Sequence, residues 1–174
     1  MHAHHKLADL AGAAGDVVTR IEGDGTITVE GLSFDSRSIA PGDLFFCVRG
    51  LVADGHGFAP AALASGAVAL CVERDLGLGV PEVVVSDARI AMARISAAFF
   101  EYPADQMTML GVTGTNGKTT TAFLLESILT AAGRAPGLIG TIQTRVGDHV
   151  SPGIRTTPES LDLQKLLAEM RAAG

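Results

Sequence analysis

The chain has 174 residues, of which 47% are apolar and 18% are charged, and its formal net charge is −6. This composition supports a packed core and is unlike that of disordered chains. Lys and Arg are scattered, which argues against a nucleic-acid-binding surface. No apolar run reaches the ~20 residues that cross a bilayer, which argues against membrane insertion. We therefore expect a cytoplasmic protein with one domain plus part of another.

Two features that suggest metal binding have simpler explanations. Cys47 and Cys71 each lie inside an apolar, strand-like run, so we expect two buried thiols in a reducing compartment rather than a zinc site. His2, His4 and His5 cluster at the N-terminus, where a frayed segment is the simpler interpretation.

The first hundred residues alternate between strand and helix patterns. Apolar runs predict strands, and residues 32–37 alternate before a break at Pro41-Gly42; the predicted strands are 26–29, 43–48, 68–72 and 83–85. Small and apolar residues at helical spacing predict helices over 58–65 and 88–100, the second with Met92, Ile95 and Phe99 on one face. Alternating strands and helices indicate an α/β layer structure.

A second unit begins after a break at 102–105, so we place the domains at 1–102 and 103–174. The pattern then predicts a strand over 107–112, a glycine-rich loop, a helix over 118–132 and a strand over about 138–142. A polar loop leads to a last helix, with Thr157 as its N-cap and Pro158 at its first position. Two strands and two helices cannot bury a doubly wound sheet, so we expect this second domain to be incomplete.

The glycine-rich loop is the strongest chemical signal. Its sequence is Gly114-Thr115-Asn116-Gly117-Lys118-Thr119-Thr120. A strand, a glycine loop and a helix start present backbone N–H groups that hold phosphate oxygens. Lys118 would neutralise the β- and γ-phosphates, and the Thr119 hydroxyl would hold Mg²⁺. Val112 stands where the strict pattern has glycine, and a chance Gly-Lys-Thr in a structural loop is the alternative. We predict a site for ATP and Mg²⁺.

The sequence of this loop resembles the P-loop sequence of the Mur ligases and their folylpolyglutamate synthetase relatives. Residues 34–37 (FDSR), 41–45 (PGDLF), 53–58 (ADGHGF) and 61–68 (AALASGAV) resemble, in that order, the Mur ligase domain that binds a UDP-sugar peptide. Residues 137–142 (GLIGTI) and 156–159 (TTPE) resemble the third-residue-adding (MurE-type) branch. The resemblance implies a small N-terminal α/β UDP-substrate domain, followed by the start of a P-loop ATPase-type domain with a parallel sheet.

The resemblance also implies residue roles. Phe34, Ser36 and the loop Leu51-Val52-Ala53 match positions that lie against uracil and ribose, with core packing as the alternative for Phe34. Asp35 and Arg37 could form a local ion pair. The positions that match contacts to the sugar-peptide substrate are Arg155, Thr156 and Thr157. Arg155 replaces a residue that is often polar in the family, and Thr157 can also act as a helix cap.

The implied reaction is ATP-driven ligation in peptidoglycan synthesis. The γ-carboxylate of UDP-N-acetylmuramoyl-L-alanyl-D-glutamate is phosphorylated, and the amine of meso-diaminopimelate or L-lysine displaces the phosphate. Lys118 and Thr119 would serve the first step. The resemblance places a second Mg²⁺ carboxylate, a carbamylated lysine, the adenine contacts and a C-terminal domain in later sequence. We therefore expect these 174 residues to make no product by themselves.

Three alternatives remain beside this reading. One is the D-alanyl-D-alanine-adding (MurF-type) branch, although the Asn-rich segment expected after its loop helix is absent. Another is a noncatalytic nucleotide-binding module. A P-loop kinase or GTPase fits least, because about 100 residues of patterned α/β sequence precede the loop.

Overall fold

The computed structural model describes residues 5–153 and 158–174, and the chain divides into two compact units, Met1–Glu101 and Tyr102–Gly174. The α/β fold class predicted from the sequence is confirmed. Among the helices in these described ranges, none has the length and apolar character needed to span a bilayer.

The first unit is built on a five-stranded sheet with the order β2-β7-β6-β5-β4. Neighbouring strands from β4 to β7 run parallel, and β2 pairs antiparallel with β7 at one edge. A separate antiparallel pair joins β1 to β3. The strands are β1 (His5–Lys6), β2 (Val18–Glu22), β3 (Thr28–Val29), β4 (Gly31–Ser33), β5 (Asp43–Phe46), β6 (Ala69–Val72) and β7 (Glu82–Val85).

Three α-helices accompany this sheet: α1 (Leu7–Ala14), α2 (Ala59–Ala64) and α3 (Ala88–Phe99). Short 3-10 turns occupy Gly15–Val17 and Gly55–Phe58. Because side chains alternate across a strand, Phe45 and Leu70 face one side of the sheet, where they pack with Ala59 and Ala62. The predicted helices over 58–65 and 88–100 are confirmed as α2 and α3, with small changes at their ends.

Sequence reasoning missed helix α1, although its pattern is readable. Its buried residues are Leu7, Leu10, Ala11 and Ala14, which follow the i, i+3, i+4, i+7 spacing of one helical face. The helix lies beside α3, and its N-terminal amides bond to the carbonyls of Ile27 and Gly25 (3.0 and 2.8 Å). Residues 5–22 are therefore part of the folded unit.

The second unit begins at Tyr102, which like Glu101 adopts a left-handed backbone (φ 51° and 60°). A 3-10 turn at Pro103–Gln106 follows. Its elements are α4 (Lys118–Ala131), β8 (Leu138–Ile139), β9 (Gln143–Val146), β10 (His149–Pro152) and α5 (Ser160–Ala173). The three strands form an antiparallel sheet with the order β10-β9-β8.

Several predictions for this unit were wrong. Residues 107–112 are not a strand, because no described strand pairs with them; Met109 and Leu110 are instead more than half exposed. The predicted polar loop before Pro158 contains the hairpin of β9 and β10. The last helix has Glu159 rather than Thr157 as its N-cap and begins at Ser160, so Pro158 is not its first residue. The helix predicted over 118–132 is confirmed as α4.

Candidate functional site

The glycine-rich loop leads directly into α4, as the sequence predicts. Gly117 precedes the helix in a left-handed conformation (φ 79°), and Gly114 also has positive φ (150°). Such angles are strained for residues with a Cβ, so the two glycines allow this loop path. All residues from Gly114 to Thr120 are exposed. The loop is therefore accessible along its whole length.

The start of α4 keeps its backbone donors free of side-chain caps. Gly117 makes no capping hydrogen bond, and the first amides of an α-helix have no partner within the helix. The start of α3 is different, because the Asp87 carboxylate accepts from the amides of Arg89 and Ile90 (2.9 Å each). A carboxylate at that terminus also repels anions. Of these two helix starts, only α4 offers open donors to an anion such as phosphate.

Lys118 lies folded over the loop. Its Nζ donates to the carbonyl oxygens of Gly114 and Thr115, the latter at 3.4 Å. Both bonds lie in the exposed loop, so a phosphate could replace the two carbonyls as the partner of Nζ without opening a buried contact. The amine is therefore held next to the open helix start, where an anion would meet both. The Thr119 side chain, predicted to bind Mg²⁺, is exposed one residue further along.

Two predicted substrate segments follow neighbouring parallel strands of the first unit. Phe34 and Ser36 come directly after β4, and Leu51, Val52 and Ala53 lie in the loop after β5. Since β4 and β5 run parallel, both segments leave the same edge of the sheet. The carboxyl ends of parallel strands are the usual place for ligands in α/β folds. Phe34 and Ser36 are half-buried, so part of each residue remains accessible.

Asp35 and Arg37 form the local ion pair that sequence reasoning considered. The guanidinium donates to both carboxylate oxygens, from Nε at 2.9 Å and from Nη2 at 2.7 Å. The Arg37 side-chain hydrogen bonds lower the pKa of Asp35 to about 2. Ser33 and Ser38 also donate to the Asp35 carbonyl (3.0 and 3.1 Å). These bonds shape the turn that carries Phe34 and Ser36.

The loop after β5 is a tight turn with an apolar tip. Arg49 and Asp54 pair across its base, and the Gly50 amide donates to the Ala53 carbonyl (2.9 Å). Leu51 and Val52 at the tip are fully exposed. Water-exposed apolar side chains at the ligand edge of a sheet are suited to covering the flat face of a base.

His56, close to this loop, has a hydrogen-bonding role that sequence reasoning did not assign. Its side chain is completely buried, and Nδ1 lies 2.6 Å from Oδ1 of Asp54. The Glu73 amide donates to Nε2 from a segment 17 residues away (2.9 Å). The amide and ring of His56, with Arg74, hold the pKa of Asp54 well below its usual range. The only local sequence pattern that could have indicated this contact is Asp54-x-His56, in which a carboxylate precedes a histidine by two residues.

The three residues predicted to contact the sugar-peptide part of the substrate, Arg155, Thr156 and Thr157, lie outside the described residues. Cys47 and Cys71 are buried free thiols, as predicted, and burial raises both pKa values, that of Cys47 to about 12. Within residues 5–153 and 158–174, no three His, Cys, Asp or Glu side chains are grouped to hold a metal ion.

Comparison with known families covers most of the chain. Residues 28–113 match the model described as "Mur ligase family, catalytic domain", and residues 112–174 match the "Mur ligase middle domain". The two matches meet at residues 112–113, directly before the glycine-rich loop.

Similar proteins include two enzymes named UDP-N-acetylmuramoyl-L-alanyl-D-glutamate--2,6-diaminopimelate ligase. That of Geobacillus thermodenitrificans is 49% identical over 86% of this chain and 31% of its own length. That of Chlorobaculum tepidum is 47% identical over 97% of this chain and 34% of its own. The chain thus spans about a third of the length of the curated relatives it matches.

Solved structures agree on the fold. A MurF crystal structure from Acinetobacter baumannii matches 96% of this chain and 33% of its own, with a TM-score of 0.64 and 25% identity. A structure of a UDP-N-acetylmuramoyl-L-alanyl-D-glutamate--2,6-diaminopimelate ligase matches 99% of this chain and 34% of its own, with a TM-score of 0.71 and 24% identity. Because two adjoining family matches together cover residues 28–174, the chain belongs to the Mur ligase family.

Proposed function

We propose that this chain is the substrate-loading part of a cytoplasmic, ATP-dependent ligase of peptidoglycan synthesis. The ligase would add 2,6-diaminopimelate to UDP-N-acetylmuramoyl-L-alanyl-D-glutamate, the reaction in the names of its relatives. The observation that carries the proposal is the 49% identity to such a ligase over 86% of the chain. It also favours diaminopimelate over L-lysine, between which the sequence alone did not decide.

The two units divide the work in this proposal. Residues 1–102 bind the UDP-sugar peptide, with Phe34, Ser36 and Leu51-Val52-Ala53 against uracil and ribose. Residues 103–174 begin the ATP-binding domain. Arg155, Thr156 and Thr157 are proposed to contact the sugar-peptide part of the substrate.

The phosphate loop fits a nucleotide on structural grounds, namely open amides at the start of α4 and an accessible Lys118. The loop residues 114–120 would hold the phosphates, and Thr119 would hold Mg²⁺. When bound, ATP and Mg²⁺ supply the phosphoryl group that makes the D-glutamate γ-carboxylate reactive toward an amine. Lys118 would turn from the Gly114 carbonyl to the phosphates, neutralise charge and align the transferred group.

Nucleotide binding is tested by replacing Lys118 with alanine and titrating ATP with Mg²⁺ calorimetrically. Loss of a charge-assisted hydrogen bond costs about 1.5–3 kcal/mol, so we expect Kd to rise at least tenfold. Lys165→Ala is the matched control, because Lys165 is an exposed lysine on α5 and should leave Kd unchanged. Equal binding by Lys118→Ala and wild type would remove the phosphate-loop assignment.

The reaction itself is tested on the full-length gene product by measuring phosphate release with ATP, 2,6-diaminopimelate and UDP-N-acetylmuramoyl-L-alanyl-D-glutamate (the UDP-dipeptide). Turnover should require all three. Residues 1–174 alone should give no turnover, and phosphate release by them would contradict that expectation.

The MurF alternative rests on the A. baumannii structural match, which has 25% identity, against 49% for the diaminopimelate ligase of G. thermodenitrificans. It predicts turnover with the UDP-tripeptide and D-alanyl-D-alanine instead.

A further inference from the structure

We infer that His56 is a positioning residue for the UDP-sugar substrate, because it ties the base of the Leu51-Val52 loop to the segment that follows β6. The inference deepens the proposed function and rests on it, since this is the loop assigned to uracil and ribose. His56 does not itself touch the substrate in this proposal.

The first step in the argument is that the loop tip cannot position itself. Leu51 and Val52 are fully exposed, so burial does not fix their place. Inside the loop there is one backbone hydrogen bond, from Gly50 to Ala53, and the bridge between Arg49 and Asp54. The direction of the tip is therefore set by what holds the two residues at its base.

The Asp54 end of the base is held through buried His56 and, on its exposed side, by Arg74, whose Nη1 and Nη2 each donate to Asp54 Oδ2 at 3.3 Å. Asp54 Oδ1 lies 2.6 Å from Nδ1 and accepts from the His56 amide at 3.0 Å. Nε2 accepts the Glu73 amide, so Nε2 carries no proton and Nδ1 is the nitrogen that donates to Asp54. The neutral ring thus bridges a loop carboxylate and the backbone after β6. Being fully buried, it makes both bonds away from competing water.

The Arg49 end of the base is held from the same segment. The Glu73 carboxylate pairs with Nε of Arg49 at 3.0 Å, and its other oxygen accepts the Ala88 amide at the start of α3 (3.1 Å). Arg89 also donates to the Arg49 carbonyl (3.3 Å). Glu73 therefore meets the loop twice, by its side chain at Arg49 and by its backbone at His56. Of these links, only the one through His56 involves a side chain that is fully buried.

Two substitutions of His56 distinguish the loss of its hydrogen bond to the Glu73 amide from the loss of ring packing. In His56→Asn, the amide nitrogen can replace Nδ1 and donate to Asp54, but the side chain is too short to reach the Glu73 amide. In His56→Gln, the amide oxygen can replace Nε2 and accept the Glu73 amide, while the backbone amide of residue 56 still donates to Asp54, so the link from the loop to Glu73 is kept. Both remove the ring, so a packing role alone would weaken them alike.

The experiment measures calorimetric affinity of the 174-residue chain for UDP-N-acetylmuramoyl-L-alanyl-D-glutamate. We expect His56→Asn to raise Kd about tenfold, the equivalent of one buried hydrogen bond, and His56→Gln to stay near wild type. Affinity for ATP should not change in either. Amide hydrogen exchange without ligand should be faster at Gly50 and Gly55 in His56→Asn only.

Each result decides the inference. Wild-type affinity and exchange in His56→Asn would overturn it, as would equal weakening by the two variants. If wild-type protein fails to bind the UDP-dipeptide, the proposed function of this unit falls. Exchange at Gly50 and Gly55 then still shows whether His56 holds the loop: faster exchange in His56→Asn alone supports that part, and unchanged exchange removes it.

Discussion

Helix α3 of the first unit and helix α4 of the second unit are packed very differently. Helix α3 buries Ala88, Ala91, Met92, Ile95 and Ser96, and Asp87 occupies its first amides. Helix α4 buries none of its residues, and its first amides have no side-chain cap. In α3 both the apolar face and the helix start serve the fold. In α4 the helix start is uncapped and Leu124 and Ile128 are more than half exposed, so neither feature serves the fold of the described unit.

The largest expected effect tests this contrast with one residue type. Ile95 in α3 is completely buried, whereas Ile128 in α4 is 62% exposed. Ile95→Ala should reduce the free energy of unfolding by about 2–5 kcal/mol, because it leaves a cavity. Ile128→Ala should change it by no more than about 0.5 kcal/mol. Urea denaturation followed by circular dichroism measures both, and equal losses would show that α4 is packed in solution.

A smaller effect compares two glycines whose missing side chains meet different neighbours. A Cβ on Gly55 would lie 2.5 Å from the Val48 carbonyl oxygen, and one on Gly137 would lie 2.5 Å from Sδ of Met170. Backbone cannot yield, whereas a methionine side chain can change rotamer. We expect Gly55→Ala to cost about 1–3 kcal/mol and Gly137→Ala clearly less.

Gly57→Ala is the local control for that experiment. Gly57 lies in the same 3-10 turn as Gly55, but a Cβ there would meet nothing within 4 Å. Its stability in urea should match that of wild type. A loss equal to that of Gly55→Ala would mean that the turn rejects any side chain, irrespective of the Val48 backbone.

The smallest effect concerns the exposed ion pair of the first unit. The folded-state pKa of Asp35 is about 2, below its ordinary value of 3.8, because Arg37 donates to the carboxylate. The pair therefore stabilises the fold above pH 4, and its contribution is lost as the pH falls toward 2. In Arg37→Ala the pKa of Asp35 should rise toward 3.8. A carboxyl NMR titration measures this shift, and an unchanged value would assign the lowering to other groups.

Sequence reasoning succeeded where one local pattern determines the outcome. Helix α3 follows from its apolar period, and α4 follows from a glycine loop before a helical run. The strand predicted over 107–112 failed because a strand needs a pairing partner, which a local pattern cannot supply. The last helix begins at Ser160, two residues later than predicted. Helix ends are often misplaced in this way, because several neighbouring polar residues can act as the cap.

The candidate site divides in the same way. The glycine loop before α4 was readable from its sequence, whereas the ligand-binding roles of residues 114–120, 34–37 and 51–53 stay predictions. The bond from Glu73 to His56 joins residues 17 apart in sequence. Nothing in either local segment specifies that contact, because it depends on β5 and β6 lying side by side in the sheet.

The exposed tip formed by Leu51 and Val52 has a calorimetric consequence. Removing apolar surface from water lowers the heat capacity, so covering this tip with a base should give a negative ΔCp of binding. Phosphates held by amides and Lys118 cover little apolar surface and should give a ΔCp nearer zero. The temperature dependence of the binding enthalpy would then distinguish binding of the UDP-sugar peptide from binding of ATP, and Leu51→Ser should make the ΔCp of UDP-sugar-peptide binding less negative.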